Sequence, residues 1–197
     1  MQEQTGERAR RIRVVGVSGA GKTTFARELA RRSGRAHLEL DAVFWDAGWT
    51  YRDLDAAHAL VADFVRAHPE WVIDGNWSSR LEGRLEPGTD GGADLIVWLD
   101  YARPVVMRRL VRRTLRRAVL RENLWHGNRE RPSTWFARDP HENILLWGWT
   151  QHPRIRERYA QRVQSGEPIV RLGSPHDAAA WLAREYPEER PDVPLRA

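Results

Sequence analysis

The sequence predicts an α/β domain in which a parallel sheet is covered by helices on both faces. Three observations carry this expectation. The octet Gly16-Val17-Ser18-Gly19-Ala20-Gly21-Lys22-Thr23 fits the phosphate-binding loop G-x-x-x-x-G-K-[ST]. It is flanked by a β-branched run upstream and a helical pattern downstream. Strand and helix patterns then alternate along the rest of the chain.

The first strand is Ile12-Arg13-Val14-Val15-Gly16-Val17, and Phe25, Leu29 and Ala26/Ala30 follow the loop at helical spacing. Strand, glycine-rich turn and helix in that order are the context the motif requires. Backbone N–H groups in such a turn curl round an anion at the positive end of the helix. The residues expected to hold phosphates are Gly16, Ser18, Gly19, Ala20, Gly21, Lys22, Thr23 and Thr24, with the Thr23 hydroxyl offered to Mg²⁺.

His37–Leu40 reads as a short strand ending at Asp41. Asp53–Ala67 reads as a helix capped by Asp53, with Leu54, Ala57, Leu60, Val61 and Phe64 on its apolar face. Trp71–Ile73 is a strand ending at Asp74-Gly75, and Leu95–Leu99 another ending at Asp100. A long helix runs from about Pro104 to Arg121, and residues 122–140 read as irregular. A second helical stretch covers Asn143–Val163. Ile169–Leu172 is the last strand and Asp177–Glu185 the last helix. There is no internal repeat or low-complexity block.

A chain of 197 residues is most simply one domain with one sizeable core, here residues 1–186 with an irregular insertion at about 122–140. Residues 187–197, rich in proline and charge, read as a poorly ordered tail. No apolar run approaches the ~20 residues that span a bilayer, and the N-terminus lacks a signal-peptide pattern. The absence of cysteine excludes disulfides and thiolate metal sites and fits the cytoplasm. A net charge of +5 suits anionic ligands, whether nucleotide or nucleic acid. Lys22 is the only lysine among 32 Lys and Arg residues. A lysine ammonium follows β- and γ-phosphates as a point charge, where a planar guanidinium fits the loop poorly.

Asp41, Asp74 and Asp100 all follow predicted strands. Ligands bind beyond the carboxyl ends of strands in open α/β sheets, and carboxylates there hold Mg²⁺ or act as a base. A single such aspartate can equally be a turn former. From Arg108 to Arg121, Arg108, Arg112 and Arg116 share one helix face, and Arg109, Arg113 and Arg117 the adjacent one. They suit either a solvated face paired with carboxylates or a grip on triphosphate oxygens. Trp125, Trp135, Trp147 and Trp149 mix with arginines beyond, as in a lid over a nucleotide or a surface that stacks bases. Core packing is the default for Trp147 and Trp149.

These pieces together resemble the adenylate kinase-related P-loop kinases, and within them the small bacterial group labelled topology modulation proteins. The carrying residues are GVSGAGKTT at 16–24, HLELDAVFWDAGW at 37–49, WVIDGNWSSR at 71–80, ADLIVWLDYAR at 93–103 and RRTLRR…LWHGNRE at 112–130. The resemblance implies a P-loop NTPase three-layer α/β/α fold, a five-stranded parallel sheet in order 2-3-1-4-5 and a lid insertion after the fourth strand. Asp74-Gly75 match the Asp-Gly of the DGFPR motif, with Asp74 near Mg²⁺. The Phe-Pro-Arg part is absent, and Arg80 falls at a changed spacing for an acceptor role. Arg112 and Arg116 fall where lid-proximal arginines contact ATP.

The expected activity is transfer of the γ-phosphoryl group of ATP, with Mg²⁺, to a small acceptor: a nucleotide, a nucleoside or another metabolite. Lys22, Asp41, Arg112 and Arg116 are the expected catalytic residues, and Thr23 and Asp74 the metal ligands. Asp41, Trp45, Asn76 and Arg80 are expected at the acceptor. A phosphate acceptor needs a clamp and no base, whereas a hydroxyl acceptor benefits from a carboxylate base such as Asp41. No membrane is expected as a partner, and a monomer or homodimer is. The alternative is an ATP-binding, nucleic-acid-associated protein acting on DNA topology without phosphorylating a small molecule.

Overall fold

In the computed structural model, residues 9–130, 134–135, 137–139 and 143–188 are described. Five strands, β1 (Arg11–Gly16), β2 (Ala36–Glu39), β3 (Trp71–Asp74), β4 (Leu95–Leu99) and β5 (Ile169–Leu172), form one sheet in the order β2-β3-β1-β4-β5. Every pairing is parallel, so all five carboxyl ends lie on one rim. The order and the helical cover match the expected three-layer fold. Buried β-branched strands of this kind leave no polar face, which is why they need helices on both sides.

Alternation along β1 divides the core. Ile12 and Val14 face α1 (Lys22–Ser33) through Phe25, Ala26 and Leu29, a cluster that continues to Trp181 and Leu182 of α7 (Pro175–Glu185). On the other face Trp71 and Ile73 pack with Val43, Phe44 and Val61 of α2 (Leu40–Phe44) and α3 (Leu54–Ala67), and with Leu81 of the one-turn α4 (Ser78–Leu81). Val15, Ile96 and Trp98 meet Tyr159 of α6 (Ile144–Gln164) on that same side. The remaining helix, α5 (Arg103–Val119), buries Val106, Leu110 and Thr114. Among the described residues no helix is long and apolar enough to cross a membrane.

Several boundaries differ from the sequence expectation. β2 stops at Glu39, and Asp41 lies in the first turn of α2 rather than at a strand end. The cause is Leu40, fully buried against Gly75, where a Cβ would come within 2.8 Å of the leucine Cβ. α5 ends at Val119, two residues early, with Arg121 at a φ of +48°. α7 starts at Pro175 because Ser174 caps it by accepting from the Asp177 N–H. Residues 124–130 are not wholly irregular: Trp125–Gly127 forms a 3-10 turn. The expected insertion at 131–133, 136 and 140 lies outside the described residues, as does the expected tail from 189 to 197. Trp149 is 51% exposed beneath the Arg103 guanidinium rather than in the core.

Arg13 points into the gap between the two clusters on its side of the sheet and is fully buried. It donates to Glu86 (2.5 Å), which also accepts from Arg162 (2.6 Å), itself paired with Glu167. Removing one partner of a buried pair costs far more than the pair contributes, because the other charge is stranded. Glu86→Ala should therefore lower unfolding stability by about 3 kcal/mol in urea titration. Glu70→Ala, which removes an exposed pair with Arg10 and a long contact (3.4 Å) with Arg35 from a glutamate that is itself 44% exposed, should cost less than about 1 kcal/mol.

Candidate phosphate and acceptor site

β1 ends where the glycine-rich loop begins, and the loop is braced from two sides. Asn76, just after β3, accepts from the Gly16 N–H (3.2 Å) and donates to its carbonyl (2.6 Å). From the other side α5 presses on Gly19, whose φ is +91° and where a Cβ would lie 2.7 Å from the Val106 carbonyl. α6 holds α5 there through Gly148, where a Cβ would lie 2.6 Å from Leu110. The Ala20 N–H closes the loop onto the Val17 carbonyl (3.0 Å), and α1 starts at Lys22 with its first N–H groups open at the loop. Such a cradle fits a polyphosphate.

The register of β2 on β3 sets Glu39 opposite Asp74. Thr23, one residue into α1, lies 3.0 Å from Glu39 Oε1 and 3.0 Å from Asp74 Oδ1. One hydroxyl proton cannot satisfy both carboxylates. Three hard oxygens converging with too few protons are a donor set suited to Mg²⁺. The other oxygen of Asp74 is held by His37 Nε2 at 2.7 Å, with both side chains nearly buried. Among the described residues no cluster of three His, Cys, Asp or Glu forms a metal cage. A cation here would draw its remaining oxygens from water and phosphates.

Lys22 is crowded in the same hollow. Burial pushes its pKa below the ordinary 10.5, against the pull of Asp41 first and then Asp74, with Arg113 adding to the depression. Arg113 is lowered in turn by burial and by Arg117, while Glu130, Asp41 and Glu39 oppose. Asp41 thus attracts both cations. Its Oδ1 accepts from the Trp77 indole N–H (2.6 Å), and its Oδ2 has no hydrogen-bond partner among the described residues.

One cleft of about 2220 Å³ runs from the glycine-rich loop past Asp41 to an aromatic end at Trp45, Trp49, Tyr51, Trp77 and Trp125. A smaller hollow of about 450 Å³, at Ala9, Val65 and Asp94, lies at the amino-terminal edge of β1 and has no such chemistry. Ser18, Gly19, Ala20, Gly21, Thr24, Trp45 and Arg80 all line the large cleft with Lys22, Thr23 and Asp41. Asp74 is buried behind Thr23.

Other expected residues have different surroundings. Asn76 lines the cleft, but both ends of its amide are held by Gly16. Arg80 donates to the Arg52 carbonyl (2.9 Å) and lies over the Tyr51 and Phe44 rings. Arg112 lines the cleft without a carboxylate partner among the described residues, whereas Arg116 is paired with Glu122 at 3.1 Å. Asp100 is not free for a ligand: it is buried between Arg171 (2.6 Å) and Arg156 (3.4 Å). The sequence does not single out Glu39 or His37, and it leaves Arg109 and Arg113 open between a solvated face and a grip on triphosphate. Arg109 donates to the Ala20 carbonyl (3.3 Å). Only the alternation of β2 and the i,i+4 partnership of Arg109, Arg113 and Arg117 signal them.

A family model described as an AAA domain matches residues 12–178. The uncharacterized protein YqaC of Bacillus subtilis is 24% identical over 110 residues, which are 54% of this chain. The match spans 57% of the length of that curated relative. Among solved structures, shikimate kinase from Acinetobacter baumannii in complex with shikimate superposes with a TM-score of 0.52 at 18% identity, covering 91% of each chain. Shikimate kinase from Bacteroides thetaiotaomicron gives 0.50 at 15% identity, covering 89% of this chain and 96% of that one. At these identities the likeness is one of fold.

A lowered lysine pKa means the folded chain holds fewer protons than the unfolded chain just below pH 10.5. Stability contributed by Lys22 therefore rises with pH through that window, as the strained charge is released. Lys22→Met should stabilise the ligand-free protein at pH 7 and flatten this rise. Urea titrations of both proteins from pH 7 to 10.5 check it, and equal slopes would refute the buried-charge account.

Proposed function

The chain belongs to this AAA-domain family, and from that premise we propose that it is a small-molecule kinase that moves the γ-phosphoryl group of ATP to an acceptor hydroxyl. Within the family we place it with the adenylate kinase-related kinases, nearest the topology modulation group, on the motif residues at 16–24, 37–49 and 71–80. The observation that carries the reading is Asp41: a carboxylate with one free oxygen, in the same cleft as Lys22 and Arg113. An acceptor phosphate would be repelled there, while an acceptor hydroxyl gains a base.

The triphosphate lies in the loop of Gly16 to Thr24, contacted by backbone N–H groups and Lys22. Arg109, Arg112 and Arg113 approach it from α5, and Arg116 stands at the margin with Glu122. Thr23, Asp74 and Glu39 would hold Mg²⁺, which supplies charge neutralisation on the phosphates. Asp41 Oδ2 accepts the acceptor proton as the new O–P bond forms; the bond from the γ-phosphorus to its bridging oxygen breaks and ADP leaves. Trp77 keeps Asp41 in place by donating to Oδ1. Positioning and charge stabilisation supply most of the rate. Asn76 acts on the loop through Gly16, and Trp45 and Arg80 belong to the acceptor end. The domain organisation we propose is a single unit over 1–186 with a lid at about 122–140. Absence of cysteine agrees with a reducing compartment such as the cytoplasm. A nucleic-acid role is disfavoured because Arg109, Arg112, Arg113, Arg116 and Arg117 all line the cleft.

Asp41→Asn should lower kcat by about 10²- to 10⁴-fold with ATP affinity unchanged, read as acceptor-dependent ADP release and by calorimetry. A loss of ATP binding equal to the loss of rate would remove Asp41 from the base role. Lys22→Met should abolish stabilisation by ATP, about 2.7 kcal/mol at a hundredfold excess over Kd.

His37 is a positioning residue for Asp74. His37→Leu should raise the Mg²⁺ concentration needed for half-activation by about tenfold or more, with His37→Gln recovering part of it. Direct Mn²⁺ binding, followed by electron paramagnetic resonance, should weaken in parallel. Unchanged Mn²⁺ affinity in His37→Leu would sink the assignment.

A further inference from the structure

We infer that Asn128 is a positioning residue for the acceptor. It joins the turn after α5 to the segment after β2, and only the joined pair forms the aromatic wall of the cleft. The inference rests on the reading of that end as the acceptor end and goes beyond it to what holds the wall in place.

Apolar packing fixes neither segment. β2 leads through α2 into residues 45–52, where the Trp45–Tyr51 bridge folds the chain back around a 3-10 turn at Ala47–Trp49. α5 leads into residues 121–130, with the second 3-10 turn at Trp125–Gly127. Across both stretches the only buried residue is Asn128, 4% exposed. Trp45, Trp49, Tyr51 and Trp125 stay partly or largely exposed and line the cleft. Segments with so little buried apolar contact open locally unless something else ties them.

The tie is polar, and Asn128 is its centre. Its Oδ1 accepts from the Trp49 backbone N–H (2.9 Å), and its Nδ2 donates to the Asp46 carbonyl (2.8 Å). The Trp49 indole N–H donates in return to the Arg129 carbonyl (3.0 Å), and the Trp49 and Trp125 rings meet edge-on at 6.3 Å. His126 Nε2 lies 2.9 Å from the Ala42 carbonyl. That carbonyl has no helical partner, because the Asp46 N–H turns to the Thr50 carbonyl (2.8 Å). Trp49 and His126 both stand in the left-handed region, at φ of +60° and +57°. Bulky residues keep that conformation only where their surroundings over-determine it. The joint also lies between the two halves of the reaction. Ala42 follows Asp41 at one end, and at the other Glu130 accepts from Arg117 of α5 (3.0 Å). Truncating Asn128 leaves the Trp49 N–H and the Asp46 carbonyl without their partner, so the two segments part while the sheet stays folded.

The test follows hydrogen–deuterium exchange and turnover in the full-length protein. Asn128→Ala should raise exchange across residues 45–52 and 124–129 by about tenfold or more, with residues 11–24 unchanged. Unmoved exchange at 45–52 overturns the inference. An equal rise through β1 and β3 overturns it too, since Asn128 would then be part of the core. Turnover is measured with ATP, Mg²⁺ and the alcohols thymidine, adenosine, glucose and glucosamine, with product read by ³¹P resonance. For an alcohol that is phosphorylated, Asn128→Ala should raise KM about tenfold, with kcat within about threefold and the Kd of Mg²⁺-ADP within about twofold. Adding Trp49→Ala to Asn128→Ala should leave KM close to that of the worse single variant, because both act through one wall. Effects that multiply overturn the inference, as does a fall in kcat or ADP affinity with KM unchanged. If the wild-type protein phosphorylates none of the four alcohols, that counts against the transfer reading, and the exchange result alone decides the role of Asn128.

Discussion

The site depends on the register of β2, β3 and β1. Glu39 pairs with Asp74, and Asp74 with Val14, so the end of each strand arrives beside the start of the glycine-rich loop. Side chains alternate with a period of two residues, so a slip of one residue in β2 would carry Glu39 to the other face of the sheet. Thr23 would then face one carboxylate rather than two, and His37 would leave Asp74. Two apolar residues hold the register from outside the site. Leu40 is seated against Gly75, and Trp71, fully buried at the start of β3, pairs with both Arg11 and Ala36.

Around that rim the protein concentrates charge of both signs that it does not fully pair with itself. Lys22 and Arg113 are both destabilised in their charged forms by burial, and Arg113 is further pressed by Arg117. Glu39 and Asp74 share one hydroxyl proton. Each is a local conflict that a polyanion with a divalent cation removes on both sides at once. Two buried charges elsewhere are paired. Arg13, equally buried, has Glu86 and Ser78 as partners, and Asp100 has two arginines. In the cleft the charge is left unresolved, which is where strain has a use.

How much of this the sequence discloses follows from which residues act through local chemistry and which through packing. The glycine-rich loop, Asp74 and the order of elements are legible because a turn of that kind needs glycines at fixed spacing and a buried parallel strand needs β-branched residues. Glu39 is hidden because the end of β2 is set by Leu40 packing on Gly75, a contact between residues 35 positions apart. Reading the strand on to Asp41 assigns the rim to the wrong carboxylate. The arginines of α5 are similarly ambiguous in sequence, since two faces carry them. Leu110, wedged between Gly19 and Gly148, sets the rotation of the helix and turns Arg109 and Arg113 toward the loop. Asn76 reads as a ligand residue because it follows Asp74, yet its partner is the Gly16 backbone, which no side-chain pattern records.

The lone lysine can now be understood in terms of space. At position 22 the available volume is bounded by the Val17 carbonyl, 3.5 Å from Nζ, by Asp41 and Asp74, and by the Arg113 guanidinium. A planar guanidinium there would need five donors satisfied in a hollow already holding another. The ammonium is compact, has three rotatable donors, and can turn from the Val17 carbonyl toward a phosphate oxygen without moving the loop. Arginine suits the flank, where Arg109 reaches from α5 across the Ala20 carbonyl and over the Tyr101 ring. The chain uses arginine where a cation must span a distance and brace a surface. It uses lysine at the one point where the cation must sit inside the turn that grips the phosphates.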